Sequence, residues 1–366
     1  MSSDGNQALE RWIETLWNQG GSDLLLIQGS PPRIRVEGQL RPLEGEEALS
    51  GEQINEIAQP LLSERTASIF AEQLDADFSF SWRDRARLRG SIFTERGEPS
   101  LALRIIPNKI PSFSELGLPP VAEDISQLPR GLVLVTGPTG SGKSTTLASI
   151  IDRINKTRSV HILTIEDPIE YLHDHRQSAV SQREIGVDTP SFERGLRSSL
   201  REDPDVLLIG EMRDIESIQI ALTMAETGHL VFATLHTNDA PQAVDRIIDV
   251  FPAWRQEQTR FQLAASLAVI IAQRLIPKAS GGMTAAFETL VATPPVRNLI
   301  RDNRVNQLRN VMLTSRSDGM WTLETNLAEL IVVGTIAYDD AARVTAHPKE
   351  LDRALEMATR REPHAS

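Results

Sequence analysis

The chain has no cysteine among its 366 residues. That excludes disulfides, iron–sulfur clusters and thiolate zinc sites, and it is compatible with the cytosol. Positive charge is also short. Lys+Arg number 38 against 50 Asp+Glu, for a net charge of −12, which removes the simplest case for a nucleic-acid binder. Aromatics make up only 5%, and no basic or aromatic patch offers itself to bases. Long apolar runs are absent too: stretches such as Leu267 to Ala272 fall far short of the ~20 residues a membrane-spanning helix needs. The opening MSSDGNQALERW has neither a positive nor an apolar targeting segment. Any work at a membrane is expected without direct insertion.

What is present is ordinary globular composition, 40% hydrophobic and 24% charged, at a length that suggests two domains, with three also possible. Leu9, Trp12, Ile13, Leu16 and Trp17 fall at helical spacing and predict a helix packed on its own domain. Strands are expected at Asp23–Gln28, Arg33–Val36, Asp77–Trp82, Arg87–Phe93 and Leu101–Ile106, separated by turn residues. Next comes Pro107 to Pro120, with four prolines in 14 residues, where neither a long helix nor a central strand fits. Beyond it, apolar strands at Leu132–Thr136, Val160–Ile165, Val206–Ile209 and Leu230–Leu235 alternate with helical patterns. That pattern predicts an α/β domain with a parallel sheet buried on both faces. The final MATRREPHAS reads as a loose tail.

Gly137-Pro138-Thr139-Gly140-Ser141-Gly142-Lys143-Ser144 matches the phosphate-loop pattern completely. It follows an apolar strand and precedes a helix that starts near Thr145. Its glycines let backbone N–H groups turn inward around phosphate oxygens, and the helix N-terminus adds positive potential. Lys143 would reach the β- and γ-phosphates of a nucleoside triphosphate, and the Ser144 hydroxyl would ligate Mg²⁺.

Further polar residues fall at the C-terminal ends of later strands, where ligands of open α/β sheets sit. His161–Ile165 runs into Glu166-Asp167-Pro168, and a carboxylate there can orient or deprotonate an attacking water. Asp205–Gly210 delivers Glu211 in the Walker B manner, with Gly210 where many NTPases carry an aspartate. Glu211 is the expected link to Mg²⁺, through a coordinated water. Spacing does not decide whether Glu166 or Glu211 is the base. His229 precedes the strand Leu230–Leu235 and His236 follows it. An imidazole at the latter tip could bond a γ-phosphate.

Taken together, GPTGSGKST, TIEDPIEY, LREDPDVLLIGEMRD and TGHLVFATLHTNDA resemble the type II/type IV secretion ATPase superfamily, in that order and spacing. Within it the chain is most similar to the PilT-type retraction ATPases of type IV pili, from GSDLLLIQGSPPRIRVEGQL through VDRIIDVFP and IIAQRLIP to Pro295–Asp302. The resemblance implies a PAS-like α+β domain over 1–107, a linker over 108–120 and a RecA-like ATPase domain with a C-terminal helical part over 121–356. The loose tail follows over 357–366. It makes Glu166 the general base and Glu211 the Walker B acid, and it assigns His229 and His236 to a "His box". Arg89 and Arg104 match arginine fingers, with Arg96 a weaker candidate. It further implies a cytoplasmic homo-hexamer at the inner-membrane base of the pilus, acting with a platform protein and a paralogous retraction ATPase. Lack of cysteine and a short N-terminal region favour retraction over assembly.

Some features depart from the family pattern. Leu25 replaces the usual histidine after Ser22-Asp23-Leu24, and the C-terminal motif begins with Pro295 and ends with Asp302. An accessory, PilU-like retraction ATPase stays open on these grounds. A RecA-like DNA motor and a non-catalytic nucleotide-gated scaffold are the remaining alternatives. The net charge of −12 counts against the former, and intact Lys143, Glu166 and Glu211 count against the latter.

Overall fold

The computed structural model describes residues 3–36 and 38–361. They divide into two compact units: the chain up to Lys109 with Glu170–Leu172, and Ile110–Ile169 with the chain from His173 onward.

The first unit runs α1 (Ser3–Asn18), β1 (Asp23–Leu26), β2 (Arg33–Val36), β3 (Gln39–Pro42), α2 (Gly51–Ala58), α3 (Glu64–Gln73), β4 (Asp75–Trp82), β5 (Ala86–Glu95) and β6 (Glu98–Pro107). Its strands form one antiparallel sheet in the order β3-β2-β1-β6-β5-β4. Strand alternation gives this sheet one apolar and one polar face. Leu24, Leu26, Ile34, Leu88, Ile92, Leu101 and Leu103 are buried on the first face. They form a core with Leu9, Trp12, Ile13 and Leu16 of α1, so the predicted helical stripe does pack on its own domain. The Phe78 ring lies over Gly90, where an added Cβ would come within 2.4 Å of it. All five expected strands are present. The unexpected β3 is an edge strand exposed along its length, so it carries no apolar alternation to read.

Between Pro107 and Pro120 lies one helical turn, α4 (Phe113–Leu116), closed by a Ser112–Glu115 capping box and by Gly117 at φ +63°. The second unit continues with α5 (Val121–Gln127), β7 (Gly131–Thr136), α6 (Lys143–Thr157), β8 (His161–Glu166), β9 (Ala179–Glu184), α7 (Phe192–Ser199), β10 (Val206–Ile209), α8 (Ile215–Thr227) and β11 (Leu230–Leu235). Then come α9 (Ala240–Asp249), α10 (Ala253–Ser266), β12 (Leu267–Pro277), β13 (Met283–Val291), α11 (Pro294–Arg301), α12 (Leu308–Thr314), α13 (Leu323–Val332), α14 (Tyr338–Val344) and α15 (Pro348–Arg361).

Its sheet has the order β13-β12-β7-β11-β10-β8-β9, parallel except for the β12–β13 pair. Leu132, Leu134, Leu207, Ile209, Val231 and Ala233 face one helical layer. Val133, Val135, Val206, Leu208, Leu230 and Phe232 face the other. Both faces are therefore covered, as near-continuous apolar strands require.

The C-terminal part is helical from Pro294 onward, and before it Leu267–Val291 forms a long hairpin that extends the main sheet. Its apolar run is short and buried on both faces, so it shows no alternation to read. The expected loose tail is helical from Met357 to Arg361 within α15; its remainder lies outside the described residues. Among the described residues no helix is long and apolar enough to cross a membrane.

Candidate active site

The loop between β7 and α6 needs its glycines. Gly137, Gly140 and Gly142 have φ of +147°, +77° and +87°, backbone that side chains rarely adopt. A Cβ on Gly137 would also sit 2.4 Å from the Gln273 carbonyl oxygen. Lys143 folds back across the loop, its Nζ donating to the Gly137 and Pro138 carbonyls at 2.8 and 3.1 Å. No side chain caps α6, and a helix N-terminus presents backbone N–H groups and positive potential suited to an anion. The buried Ser141 Oγ has no hydrogen-bond partner; leaving a hydroxyl so costs about 1–3 kcal/mol, and a phosphate oxygen would satisfy it. Loop, ammonium, hydroxyl and helix end thus fit a nucleotide's phosphates.

Loops at neighbouring strand ends join this one. Glu166 closes β8, its Oε1 accepting from Thr164 Oγ1 at 2.7 Å and from Gln182 Nε2 at 3.3 Å. The next strand over, β10, ends in Gly210 and Glu211. A Cβ at Gly210 would lie 3.3 Å from both Glu166 Cα and the Ile165 carbonyl oxygen. Glycine stands in the usual aspartate position because the neighbouring strand end leaves little room for a side chain.

Glu211 bonds Arg213 at 2.7 Å and lies 3.2 Å from His236 Nε2. The Arg213 hydrogen bond, opposed by partial burial and aided by His236, holds its carboxyl below the usual range. It is ionised at neutral pH. His236 follows β11 and lies in this cluster. Beside it, Thr237 Oγ1 and Thr136 Oγ1 are 2.6 Å apart, and Thr234 Oγ1 donates to the Gly210 carbonyl at 2.5 Å.

His229 is elsewhere. It precedes β11, its Nδ1 lies 3.0 Å from the Met224 carbonyl oxygen at the end of α8, and its own carbonyl accepts from Gly131 N–H at the start of β7. At the ordinary rise of a strand that is about 20 Å from His236. Within one chain His229 closes α8 and lies at the opposite end of β11 from the phosphate-side residues, as its place before the strand implies.

The arginines of the first unit pair through register. Arg89 of β5 is directly opposite Arg104 of β6, so both point from the polar face. Arg104 Nε is 2.8 Å from Asp23, and Arg89 is 3.9 Å from Asp77. Arg96 is not with them. It occupies a two-residue hairpin turn with Gly97, at φ +54° and +86°, with its side chain 89% exposed. Leu25 pairs with Ala102 and Arg33 in the same sheet, so the strand survives without the usual histidine.

Residues that sequence reasoning passed over complete the second unit's site. Arg213 stood inside the quoted GEMRD segment, and its charge was the available signal. Gln273 stood inside the quoted IIAQRLIP segment with no chemistry of its own to single it out: from β12 its Nε2 donates to the Ser141 carbonyl at 2.5 Å, and its buried Oε1 has no partner. Ser144 and Thr145 open α6 beside Lys143. No group of three metal-ligating acidic, histidine or cysteine side chains occurs among the described residues. Mg²⁺ at a phosphate loop takes its ligands from a hydroxyl, a carboxylate, water and the nucleotide, so Ser144 and Glu211 fit that more modest requirement.

Several known proteins resemble this chain along most of its length. The family model described as "Type II/IV secretion system protein" matches residues 75–316. The type IV pilus retraction ATPase PilT of Pseudomonas aeruginosa is 46% identical over 331 residues, spanning 90% of this chain and 96% of that one. A twitching motility protein of Neisseria gonorrhoeae is 47% identical over 313 residues, spanning 85% and 83%. The crystal structure of the pilus retraction motor PilT with bound ADP aligns with a TM-score of 0.87 at 45% identity, covering 94% of this chain and 98% of that one. On that likeness the chain belongs to the type II/IV secretion system protein family and is one of its ATPases.

Proposed function

We propose that this chain is the ATPase motor of type IV pilus retraction, the activity underlying twitching motility. The observation that carries the reading is the meeting of a complete phosphate loop with Glu166, Glu211 and His236 at adjoining strand ends. Lys143, Ser141 and the first N–H groups of α6 bind the phosphates of ATP. Glu166, hydrogen-bonded by Thr164 and Gln182, takes the proton of the attacking water as general base. Glu211 and Ser144 hold Mg²⁺, which when bound supplies charge neutralisation on the phosphate oxygens. His236, already against Glu211, reports whether a γ-phosphate is present. Arg89 and Arg104 act as arginine fingers when the first unit closes on ATP, placing positive charge where the transferred phosphoryl group develops negative charge.

The chain is further proposed to work as a cytoplasmic homo-hexamer at the inner-membrane base of the pilus, engaging a platform protein and, where one exists, a paralogous retraction ATPase. Domain closure on ATP and relaxation after phosphate release then give hydrolysis a mechanical output. The domain limits proposed with this are 1–107, 108–120 and 121–356. Deleting the gene and scoring both surface piliation and twitching tests the reading. Abundant, immobile pili are expected. Loss of pili would assign the chain to assembly, and intact twitching would assign it an accessory role.

A further inference from the structure

A buried charged cluster lies behind the site, and the mechanism above makes no use of it. Glu288, on β13, is 2% exposed. Its Oε1 accepts the Ala240 N–H at 2.8 Å, and its Oε2 lies 3.8 Å from the Arg309 guanidinium. Arg309 of α12 donates in turn to Glu324 of α13 at 2.7 Å and to Glu350 of α15 at 2.6 Å. Thr345 Oγ1 donates to the other oxygen of Glu324 at 2.6 Å. Burying carboxylates costs several kcal/mol each unless they are well paired, and an apolar residue would fill the same space without that cost.

The hydrogen bond to Ala240 shows what the carboxylate does. Ala240 is the first residue of α9 and directly follows the loop His236–Asp239. A helix leaves its first N–H groups without internal partners. Here Pro241 has none to satisfy, and the Gln242 and Ala243 N–H groups go to the Asp239 side chain and carbonyl at 2.8 and 3.2 Å. The Ala240 N–H is satisfied from 48 residues away, by Glu288. The loop is therefore held through His236 to Glu211, through Thr237 to Thr136, and at its helical end to Glu288.

We propose that Glu288 is a positioning residue for hydrolysis: by gripping the N-terminus of α9 it sets His236 and Thr237 against Glu211 and the base of the phosphate loop, and through Arg309 it anchors that loop to the C-terminal helices. The inference rests on reading the site as an ATPase. Glu288 touches no phosphate, so its effect belongs in turnover rather than in nucleotide affinity. Displacing a catalytic loop by about an ångström can cost up to ~100-fold in rate. Burial pushes the Glu288 carboxyl up to about 7, opposed by the Ala240 N–H and by Arg309, and reinforced by Asp239 and Glu324. Both protonation states keep an oxygen for Ala240, so the grip persists through neutral pH.

The test uses the full-length chain with Glu288→Met, Glu288→Gln and Glu288→Asp. Glu288→Met removes the acceptor and should lower kcat about tenfold or more. Its KM for ATP and its affinity for ADP, titrated directly, should stay within about twofold. Glu288→Gln keeps an acceptor at the same reach and should restore most of kcat. Glu288→Asp, withdrawn by one methylene, should lose kcat with little change in Tm; it reports on the grip even where Glu288→Met fails to fold. A proton held by the folded state up to about 7, against a usual value of 4.5, makes stability fall as pH rises through that window. The Tm of Glu288→Gln should therefore gain on the wild type from pH 5 to pH 8. Unchanged kcat in a folded Glu288→Met or Glu288→Asp overturns the proposal, and so does a Glu288→Gln as slow as Glu288→Met. A wild-type chain that binds no ADP would instead remove the ATPase reading beneath it.

Discussion

The two units of this chain use a sheet in opposite ways. In the second unit the sheet is buried on both faces, and its chemistry projects from strand ends: Lys143 after β7, Glu166 at β8, Glu211 after β10 and His236 after β11. In the first unit one face is left polar, and its candidate chemistry stands on that face, Arg89 against Arg104. A strand end is set by a few consecutive residues. A pair on a sheet face is set by register between segments, so the same functional weight leaves a much fainter trace in sequence.

The largest expected effect tests whether the polar face belongs to the chemistry at all. Replacing Arg89 and Arg104 together by glutamine should lower ATP turnover by about 10³-fold or more, while ATP binding persists. Unchanged turnover would confine the chemistry to the second unit. Next is Lys143→Ala, which removes an electrostatic donor at the phosphates and should cost about 10²–10³-fold in kcat, read in the same assay.

A more moderate effect probes how the strand ends are tuned. Arg213 is the chief reason that the Glu211 carboxyl lies low, so Arg213→Ala should let its pKa rise toward the ordinary carboxylate value. The acidic limb of the pH–rate profile should then move to higher pH, with a greater loss at pH 5 than at pH 7.5. A profile that does not move would show that Glu211 ionisation does not limit turnover.

Smaller effects separate packing from chemistry. Gly90→Ala drives a methyl group into the Phe78 ring and should destabilise the first unit by about 1–3 kcal/mol, measured by thermal unfolding with ATP affinity unchanged. His229→Ala, at the far end of β11, should cost no more than ~1 kcal/mol and leave ATP affinity of the isolated chain as it was. A large drop in affinity there would break the separation between the two ends of β11.

How much was readable beforehand follows the same division. The phosphate loop was legible because eight consecutive residues carry the backbone requirement and the side chains together. The buried strands were legible because covering both faces demands near-continuous apolar residues. Edge strands β3 and β9 were not, since an edge is solvated and carries Gln, Arg and Glu as readily as valine. The hairpin of β12 and β13 escaped because its pairing joins segments whose local pattern has no clear period. Gly210 was noticed as an oddity, and only its distance to Glu166 explained it.

By itself the sequence determined the phosphate loop, the acids and the histidine near it, and the alternation of strand and helix that carries them, because each depends on neighbours a few positions away. Tertiary structure alone decided which distant residues meet: Gln273 under Ser141, Arg104 opposite Arg89, and Glu288 on the first amide of α9. Spacing along a chain constrains turns and caps through backbone geometry, whereas contacts across strands depend on register and burial, which no short segment encodes.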